Sequence, residues 1–244
     1  MIKRICLMCL IAVYYVFIFC LKLNTHGISY CYNDVYCYAQ YYGVALILFV
    51  AGFYIINMMK YEYRDAVVIL ENNMKKMWIR ISCKLACESV FISIYSFIVC
   101  TVYAAVKGYS YGCNWTDEYS GAWLVMLKCT EINIDTILVQ LLYLVIVFSE
   151  IYVSGMLIML MWWWFRVPIY GYCITLVAVA LELFGYLDNG IYFAKMSLNP
   201  SHMYLYGYSI VNNIVVPICA IVIMWIIGFF AFRKKDMMRK ESDI

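Results

Sequence analysis

The sequence predicts an all-α integral membrane protein with a single transmembrane domain over residues 1–244. Of the 244 residues, 66% are hydrophobic and only 14% are charged, whereas roughly a quarter of the residues in a typical soluble domain are charged. Apolar runs of about 18 residues or more recur along the chain, and each is long enough to cross a bilayer core. The runs do not alternate every second residue, which favours helices over the strands of a barrel.

We predict six transmembrane helices in this domain. Their boundaries are residues 5–23, 39–59, 82–105, 136–161, 168–187 and 210–232. The first span follows Lys3 and Arg4, and the stretch CLKLNTHG after it has no small-x-small cleavage site, so we expect a retained anchor rather than a signal peptide. The loops between the spans are short, which leaves no room for a separate soluble domain.

The distribution of basic residues predicts that both ends of the chain are cytoplasmic. With six spans and the N-terminus inside, fourteen of the eighteen lysines and arginines face the cytoplasm. The other four, Lys22, Lys107, Lys128 and Lys195, face outward. Cytoplasmic loops of membrane proteins carry such an excess. The net charge of +3 therefore reflects topology and attraction to anionic lipid, and we expect no binding to nucleic acid.

Two features of the predicted outer loops leave alternatives open. Cys31 and Cys37 could form a disulfide, but free thiols are an equally good interpretation of their spacing. The segment 188–209 is half apolar and contains Pro200, and it is too short and too polar to span. It lies either at the outer interface or in the bundle as a re-entrant turn. The 25 tyrosines and seven tryptophans suit the aromatic belts at membrane interfaces.

One amphipathic, basic stretch, RDAVVILENNMKKMWIR, lies at residues 64–80 between the second and third spans. At about 100° per residue its apolar side chains gather on one face and its charged side chains on the other. This pattern predicts a helix along the inner membrane surface, which could simply anchor the chain. A docking element is the favoured interpretation, because Val68 and Ile69 point toward the polar side and no other sizeable segment is predicted to reach the cytoplasm.

The chain lacks the sequence motifs of nucleotide-binding and hydrolytic enzymes. It has no G-x-x-x-x-G-K-[ST], no H-E-x-x-H and no G-x-S-x-G, so we do not expect an enzyme. The histidines, His26 and His202, fall in predicted outer loops, and their spacing from Cys31 or Cys37 predicts neither a metal site nor a cofactor. A membrane-embedded enzyme that uses Cys31 and His202 is an alternative, which substitution of these residues would test.

Three acidic residues, Glu88, Glu150 and Glu182, fall within the predicted spans. A charge in the bilayer core costs about 2.5–3.5 kcal/mol on insertion scales, so each carboxyl should face protein or water. The three could line a polar translocation path, or each could be paired locally. Lys84 precedes Glu88 by four residues and Ser154 follows Glu150 by four, which gives two of the acids a partner on the same helix.

In layout the chain resembles the permease subunits of type-two ABC exporters. The resemblance is carried by Tyr63-Arg64-Asp65 through Glu71-Asn72-Asn73-Met74-Lys75-Lys76-Met77-Trp78-Ile79-Arg80, and by Asn199-Pro200 before the sixth span. More narrowly, the chain looks like the small bacterial permeases that export lantibiotics and other antimicrobial peptides or give immunity to them. The resemblance covers the whole chain in layout and rests on no invariant sequence motif.

This resemblance implies a function, a location and partners. The chain would be a permease in the bacterial cytoplasmic membrane that moves a peptide or an amphiphile outward. Its partners would be separate ABC ATPase subunits, a second permease chain, identical or related, and membrane lipid. The segment between spans two and three would be the coupling helix, with these residues at the ATPase: Arg64, Asp65, Val68, Ile69, Glu71, Lys75, Lys76 and Arg80. Glu88, Glu150 and Glu182 would line the substrate path. The alternative is a stand-alone membrane sensor or immunity protein that needs no ATPase.

Overall fold

The computed structural model describes residues 2–62, 74–121, 134–165, 168–183, 196, 198 and 212–242, and the elements formed by these residues are helices. In chain order they are α1 (Ile2–Lys22), α2 (Tyr32–Glu62), α3 (Met74–Lys107), α4 (Thr136–Phe165), α5 (Pro168–Leu183) and α6 (Asn212–Ser242). Four stretches are long and apolar enough to cross a membrane: Arg4–Lys22, Lys75–Lys107, Thr136–Trp164 and Asn212–Ala231. An all-helical architecture with membrane-length apolar helices is therefore confirmed for the described part of the chain.

The two other predicted spans also fall on helices. The predicted span 39–59 lies wholly within α2. The predicted span 168–187 corresponds to the shorter apolar helix Ile169–Glu182 within α5. The arrangement of six spans therefore stays a prediction.

Local sequence signals explain where several helices begin and end. Asp34, in the first turn of α2, accepts a hydrogen bond from the backbone N–H of Cys31 just before the helix. Asp135 accepts one from the N–H of Ile137 and so caps the start of α4. Gly108 follows the last residue of α3 with a φ of 68°, a left-handed conformation that glycine adopts without strain.

The central helix of the bundle is α4, which packs against α2, α3, α5 and α6. Of its apolar window, 67% is buried inside the protein, against 11% for α6. The contact with α5 is close enough that a Cβ at Gly171 would lie 2.8 Å from the Ile158 Cα. Large apolar side chains such as Phe17 on α1 and Ile223 and Phe230 on α6 point outward. These peripheral faces suit contact with lipid.

At one end of the bundle, two loops form a surface that we call the loop cap, residues 23–31 and 108–121. Isolated parallel bridges join Ser29 to Ser120 and Cys31 to Ser110. The cysteines among the described residues are free thiols, so the alternative of a disulfide between Cys31 and Cys37 is not formed. The cap ties the first turn of α2 to the loop that follows α3.

The opposite end of the bundle, which we call the basic end, contains the start of α1, the end of α2 and the start of α3. These helix ends carry the following basic residues: Arg4, Lys60, Lys75, Lys76 and Arg80. The loop cap, in contrast, contains no lysine or arginine.

Candidate functional site

The predicted ATPase-coupling residues are only partly covered by the structure. Arg64, Asp65, Val68, Ile69 and Glu71 lie outside the described residues, so their role stays a prediction. Lys75, Lys76 and Arg80 lie in the first two turns of α3. Lys76 and Arg80 are exposed, whereas the Lys75 Nζ lies 5.3 Å from the centroid of the Phe229 ring on α6, a cation–π contact. These three cations thus belong to the same continuous helix as predicted span three.

The Trp78 side chain connects three helices at the basic end. It is fully buried and meets Trp225 of α6 edge to face, with ring centroids 6.3 Å apart. Because Gly228 has no side chain, the Trp78 ring fits against it. A Cβ at this position would overlap the ring. Trp225 Nε1 donates a 2.9 Å hydrogen bond to the hydroxyl of Tyr152 on α4. We call Trp78, Tyr152, Trp225 and Gly228 the Trp78 clasp.

Glu88 is buried at the basic end and forms an ion pair with Arg4 of α1. The Arg4 Nε also donates a 3.1 Å hydrogen bond to the hydroxyl of Tyr54 on α2, and its guanidinium lies 5.7 Å from the centroid of the Phe91 ring. Helix spacing suggests Lys84 as the partner of Glu88, but the ion pair comes from another helix. Arg4 therefore links α1, α2 and α3.

Glu150 is buried in the middle of α4 beside a neutral partner. Its Oε1 accepts a 3.4 Å hydrogen bond from Nε2 of Gln40 on α2. The hydroxyl of Ser154, the partner that helix spacing suggests, is buried and has no hydrogen-bond partner among the described residues. No lysine or arginine within the described ranges forms an ion pair with Glu150. The carboxyl is thus held by an amide group.

The Gln40 amide also holds two residues of the segment 188–209 inside the bundle. Its Nε2 donates a 2.8 Å hydrogen bond to the Met196 carbonyl, and its Oε1 accepts one of 3.4 Å from the Leu198 N–H. The Cys37 thiol donates to the Leu198 carbonyl at 3.0 Å. Met196 and Leu198 are fully buried, and the rest of the segment lies outside the described residues, so both alternatives for it stay open. We call Cys37, Gln40, Glu150, Met196 and Leu198 the Gln40 site.

Glu88 and Glu150 contact different partners. Glu88 pairs with Arg4 of α1, whereas Glu150 accepts its hydrogen bond from Gln40 of α2. Glu182 is buried on the last turn of a third helix, α5. The predicted substrate-path residues thus lie on three different helices.

Buried hydroxyl and thiol groups form three further contacts that the sequence analysis missed. The hydroxyls of Tyr15 and Tyr143 lie 3.1 Å apart, and the Cys100 thiol donates to Tyr143 at 3.6 Å. Nearby, the hydroxyls of Tyr36 and Thr101 lie 2.7 Å apart. The expectation of interfacial belts does not hold for Tyr15 and Tyr143, which are fully buried. In the sequence, both tyrosines fall inside predicted spans, and this position indicates that they do not lie at the membrane interface.

Asp34 fixes the loop cap to α2. Its Oδ2 accepts a 2.9 Å hydrogen bond from the Cys31 N–H, and its Oδ1 accepts one of 2.8 Å from Nε1 of the fully buried Trp115. Burial raises the pKa of Asp34 to about 6. Burial also raises the pKa of the Cys31 thiol, which makes it a poor nucleophile. His26 is exposed and His202 lies outside the described residues, so the Cys/His enzyme alternative gains no support.

Comparison of the chain with protein-family models, with curated proteins and with solved structures finds no match. The resemblance in layout is therefore not accompanied by a detectable relative. The function has to be argued from the Trp78 clasp, the Gln40 site and the loop cap.

Proposed function

We propose that the chain is the membrane permease subunit of an ABC exporter in the bacterial cytoplasmic membrane. In this proposal six helices span the bilayer, both chain ends and the basic end face the cytoplasm, and the loop cap faces outward. Two permease chains and separate ATPase subunits form the transporter. It moves a peptide or an amphiphile out of the cell or the membrane, and so exports an antimicrobial peptide or gives immunity to one.

The observation that carries the proposal is the continuity of α3. Its 34 residues run from Met74 to Lys107 and include neither glycine nor proline. At about 1.5 Å per residue the helix is about 50 Å long. Sharp kinks in helices arise at proline, at glycine pairs or where the hydrogen-bond ladder is interrupted. A displacement applied by an ATPase near Lys75 and Arg80 would therefore move α3 as a rigid body.

The Trp78 clasp supports the same mechanism, because it joins α3 to two more helices. Movement of Trp78 would press on α6 at Gly228, and the hydrogen bond from Trp225 to Tyr152 would pass it to α4. Tyr152 lies two residues after Glu150 on α4. The buried carboxyls of the bundle would suit a cationic peptide as substrate.

A pull-down tests this proposal. The chain is co-expressed with the products of its neighbouring genes and solubilised in detergent, as the wild type and with the changes Val68→Asp and Ile69→Asp. We expect an ATPase to co-purify with the wild type and to be lost from the double variant, because two buried charges would break an apolar contact with the ATPase. Tyr119→Asp is the matched control, since it adds a charge at an exposed position of the loop cap.

Each outcome of the pull-down separates the alternatives. If no ATPase co-purifies with the wild type, the permease proposal fails and a stand-alone sensor or immunity protein becomes the better account. If the ATPase binds the double variant as well as it binds the wild type, the segment 64–80 is not its docking element. Loss of the ATPase from the Tyr119→Asp control would show that any added charge disrupts the chain.

A further inference from the structure

The Gln40 site encloses a carboxyl group that no positive charge balances within the described part of the chain. The titratable groups on α4 and on the helices around it include Tyr15 on α1, Cys37 on α2, Lys84, Glu88 and Cys100 on α3, Tyr143 and Tyr152 on α4, and Glu182 on α5. Residues 212–231 of α6 contribute only Cys219. Glu88 on α3 is paired with Arg4 of α1. Among the described residues, the polar group in contact with Glu150 is the neutral amide of Gln40.

A carboxylate in this environment is costly. Moving a charged group from water into a protein interior costs several kcal/mol unless it is paired or well hydrogen-bonded. A single amide hydrogen at 3.4 Å offsets little of this cost. Two states avoid it, namely a neutral acid that keeps its proton and a carboxylate that water can reach. The described packing suits the first state, because Glu150, Met196 and Leu198 are all buried.

We propose that Glu150 is a proton-binding site, and that its proton controls whether residues 196 and 198 stay seated on α2. With the proton bound, Glu150 is neutral and Gln40 holds both backbone groups. When the carboxyl O–H bond breaks, the proton passes to water and a carboxylate remains. The Gln40 Nε2 then turns toward this carboxylate, because hydrogen bonds to a charged acceptor are roughly twice as strong. The Met196 carbonyl loses its donor, and water enters the site.

The ligand in this proposal is the proton, and the chain binds it without a partner protein. The proposal goes beyond ATP-driven export and does not rest on an ATPase partner, so failure of the pull-down would leave it standing. It predicts that the contact of residues 196 and 198 with α2 opens and closes with pH.

Infrared spectra of the purified chain in lipid nanodiscs test the binding of the proton. The C=O stretching band of protonated carboxyls is followed from about pH 5 to about pH 9. This range covers the pH at which a buried acid is expected to titrate. We expect part of this band to disappear from the wild type as the pH rises, and that part to be missing from Glu150→Gln. Asp34→Asn is the matched control, because it removes another buried acid and should keep the Glu150 component. If the wild type and Glu150→Gln titrate alike, the proposal is wrong.

Alkylation of Cys37 tests whether the proton controls the seating of residues 196 and 198. The Cys37 thiol is buried and donates to Leu198, so N-ethylmaleimide should react with it only when this contact opens. Peptide mass spectrometry follows Cys37, with the buried Cys100 as an internal reference. The ratio of the wild-type rate to the Glu150→Gln rate at each pH cancels thiol ionisation and the effect of Asp34.

We expect this ratio to stay near one in acid and to rise about tenfold by about pH 9, which corresponds to about 1.4 kcal/mol. A flat ratio overturns the proposal. Gln40→Ala provides a second test. It should raise Cys37 labelling at every pH, and the ratio of its rate to that of the double variant Gln40→Ala, Glu150→Gln should not change with pH. A rise of this ratio like that of the wild type would also overturn the proposal.

Discussion

The loop cap and the basic end are held together by different kinds of contact. In the loop cap, backbone hydrogen bonds join distant loops, as from the Ser29 N–H to the Tyr119 carbonyl at 2.8 Å and from the Gly121 N–H to the Ser29 carbonyl at 3.1 Å. At the basic end, the ring contacts of the Trp78 clasp and the side chain of Arg4 connect α3 to its neighbours. Arg4 is 53% exposed.

This difference shows which end of the bundle can move at the lower cost. Backbone hydrogen bonds weaken steeply when their geometry is distorted, so they fix one register. Aromatic rings instead tolerate a range of offset and edge-to-face arrangements. We infer that the loop cap holds the helix ends in place while the basic end can shift. A transporter driven by an ATPase at the basic end would need this arrangement.

The largest expected effect comes from breaking the loop cap with Trp115→Ala. Trp115 is fully buried and donates its Nε1–H to Asp34. The substitution leaves a cavity and an unpaired carboxyl oxygen, and it should lower the free energy of unfolding by about 3–5 kcal/mol. Thermal or denaturant unfolding in detergent, followed by circular dichroism, measures this loss.

Trp115→Phe is the control for the cavity, since it retains most of the buried ring and removes the hydrogen bond to Asp34. It should cost about 1–3 kcal/mol, the penalty for an unsatisfied buried group. A loss below about 1 kcal/mol for Trp115→Ala would mean that the cap is not the rigid end.

The second prediction concerns the contribution of Asp34 to stability, which should depend on pH. Burial raises the folded-state pKa of Asp34 from 3.8 to about 6. Between these values the folded chain binds the proton before the unfolded chain does, so a fall in pH raises the free energy of unfolding. The full contribution is at most about 3 kcal/mol, because one pKa unit corresponds to about 1.4 kcal/mol.

The measurement for this prediction is the difference in unfolding free energy between the wild type and Asp34→Asn from about pH 7 to about pH 4. The wild type should gain stability relative to the variant as the pH falls, since the variant has no carboxyl to protonate. A difference that is constant across this range would contradict a raised pKa for Asp34.

The outer turns of α2 show why part of the fold could not be predicted from the sequence. Continuous apolar runs predict a helix within each of α1 to α6, but residues 32–38, at the start of α2, read as a polar loop. Two polar residues in this stretch form hydrogen bonds with distant partners in the structure. Asn33 Nδ2 donates to the Ile134 carbonyl, and Asp34 accepts from Trp115. Pairing across such distances appears only in the tertiary structure, which lets the helix start early.

The same limit applies to the candidate sites. Hydropathy alone identifies Glu88, Glu150 and Glu182 as acids that must be shielded, and all three are buried. It does not identify Arg4 and Gln40 as the groups that contact two of them, because these come from α1 and α2. Helical periodicity likewise places Trp78 on an apolar face, but it does not show whether that face contacts lipid or other helices.

The smallest effect tests the basic end through Gly228→Ala. The added methyl would overlap the Trp78 ring, which is fully buried and has little freedom to rotate away. Overpacking of this kind should lower the free energy of unfolding by about 1–3 kcal/mol. Gly112→Ala is the matched control, because nothing lies within 4 Å of a Cβ at this loop-cap position. It should leave stability unchanged or raise it by up to about 1 kcal/mol.

A double-mutant cycle decides whether the loss in Gly228→Ala comes from the Trp78 ring. Trp78→Phe shortens the ring, so adding it to Gly228→Ala should cost less than the sum of the two single changes. If Gly228→Ala is as stable as Gly112→Ala, the ring can move aside freely and the clasp cannot transmit force. Additive losses would place the strain elsewhere on α6. Coupling between the two changes would show that α3 and α6 contact each other through the Trp78 ring. This result would support a basic end that can move while its helices shift together.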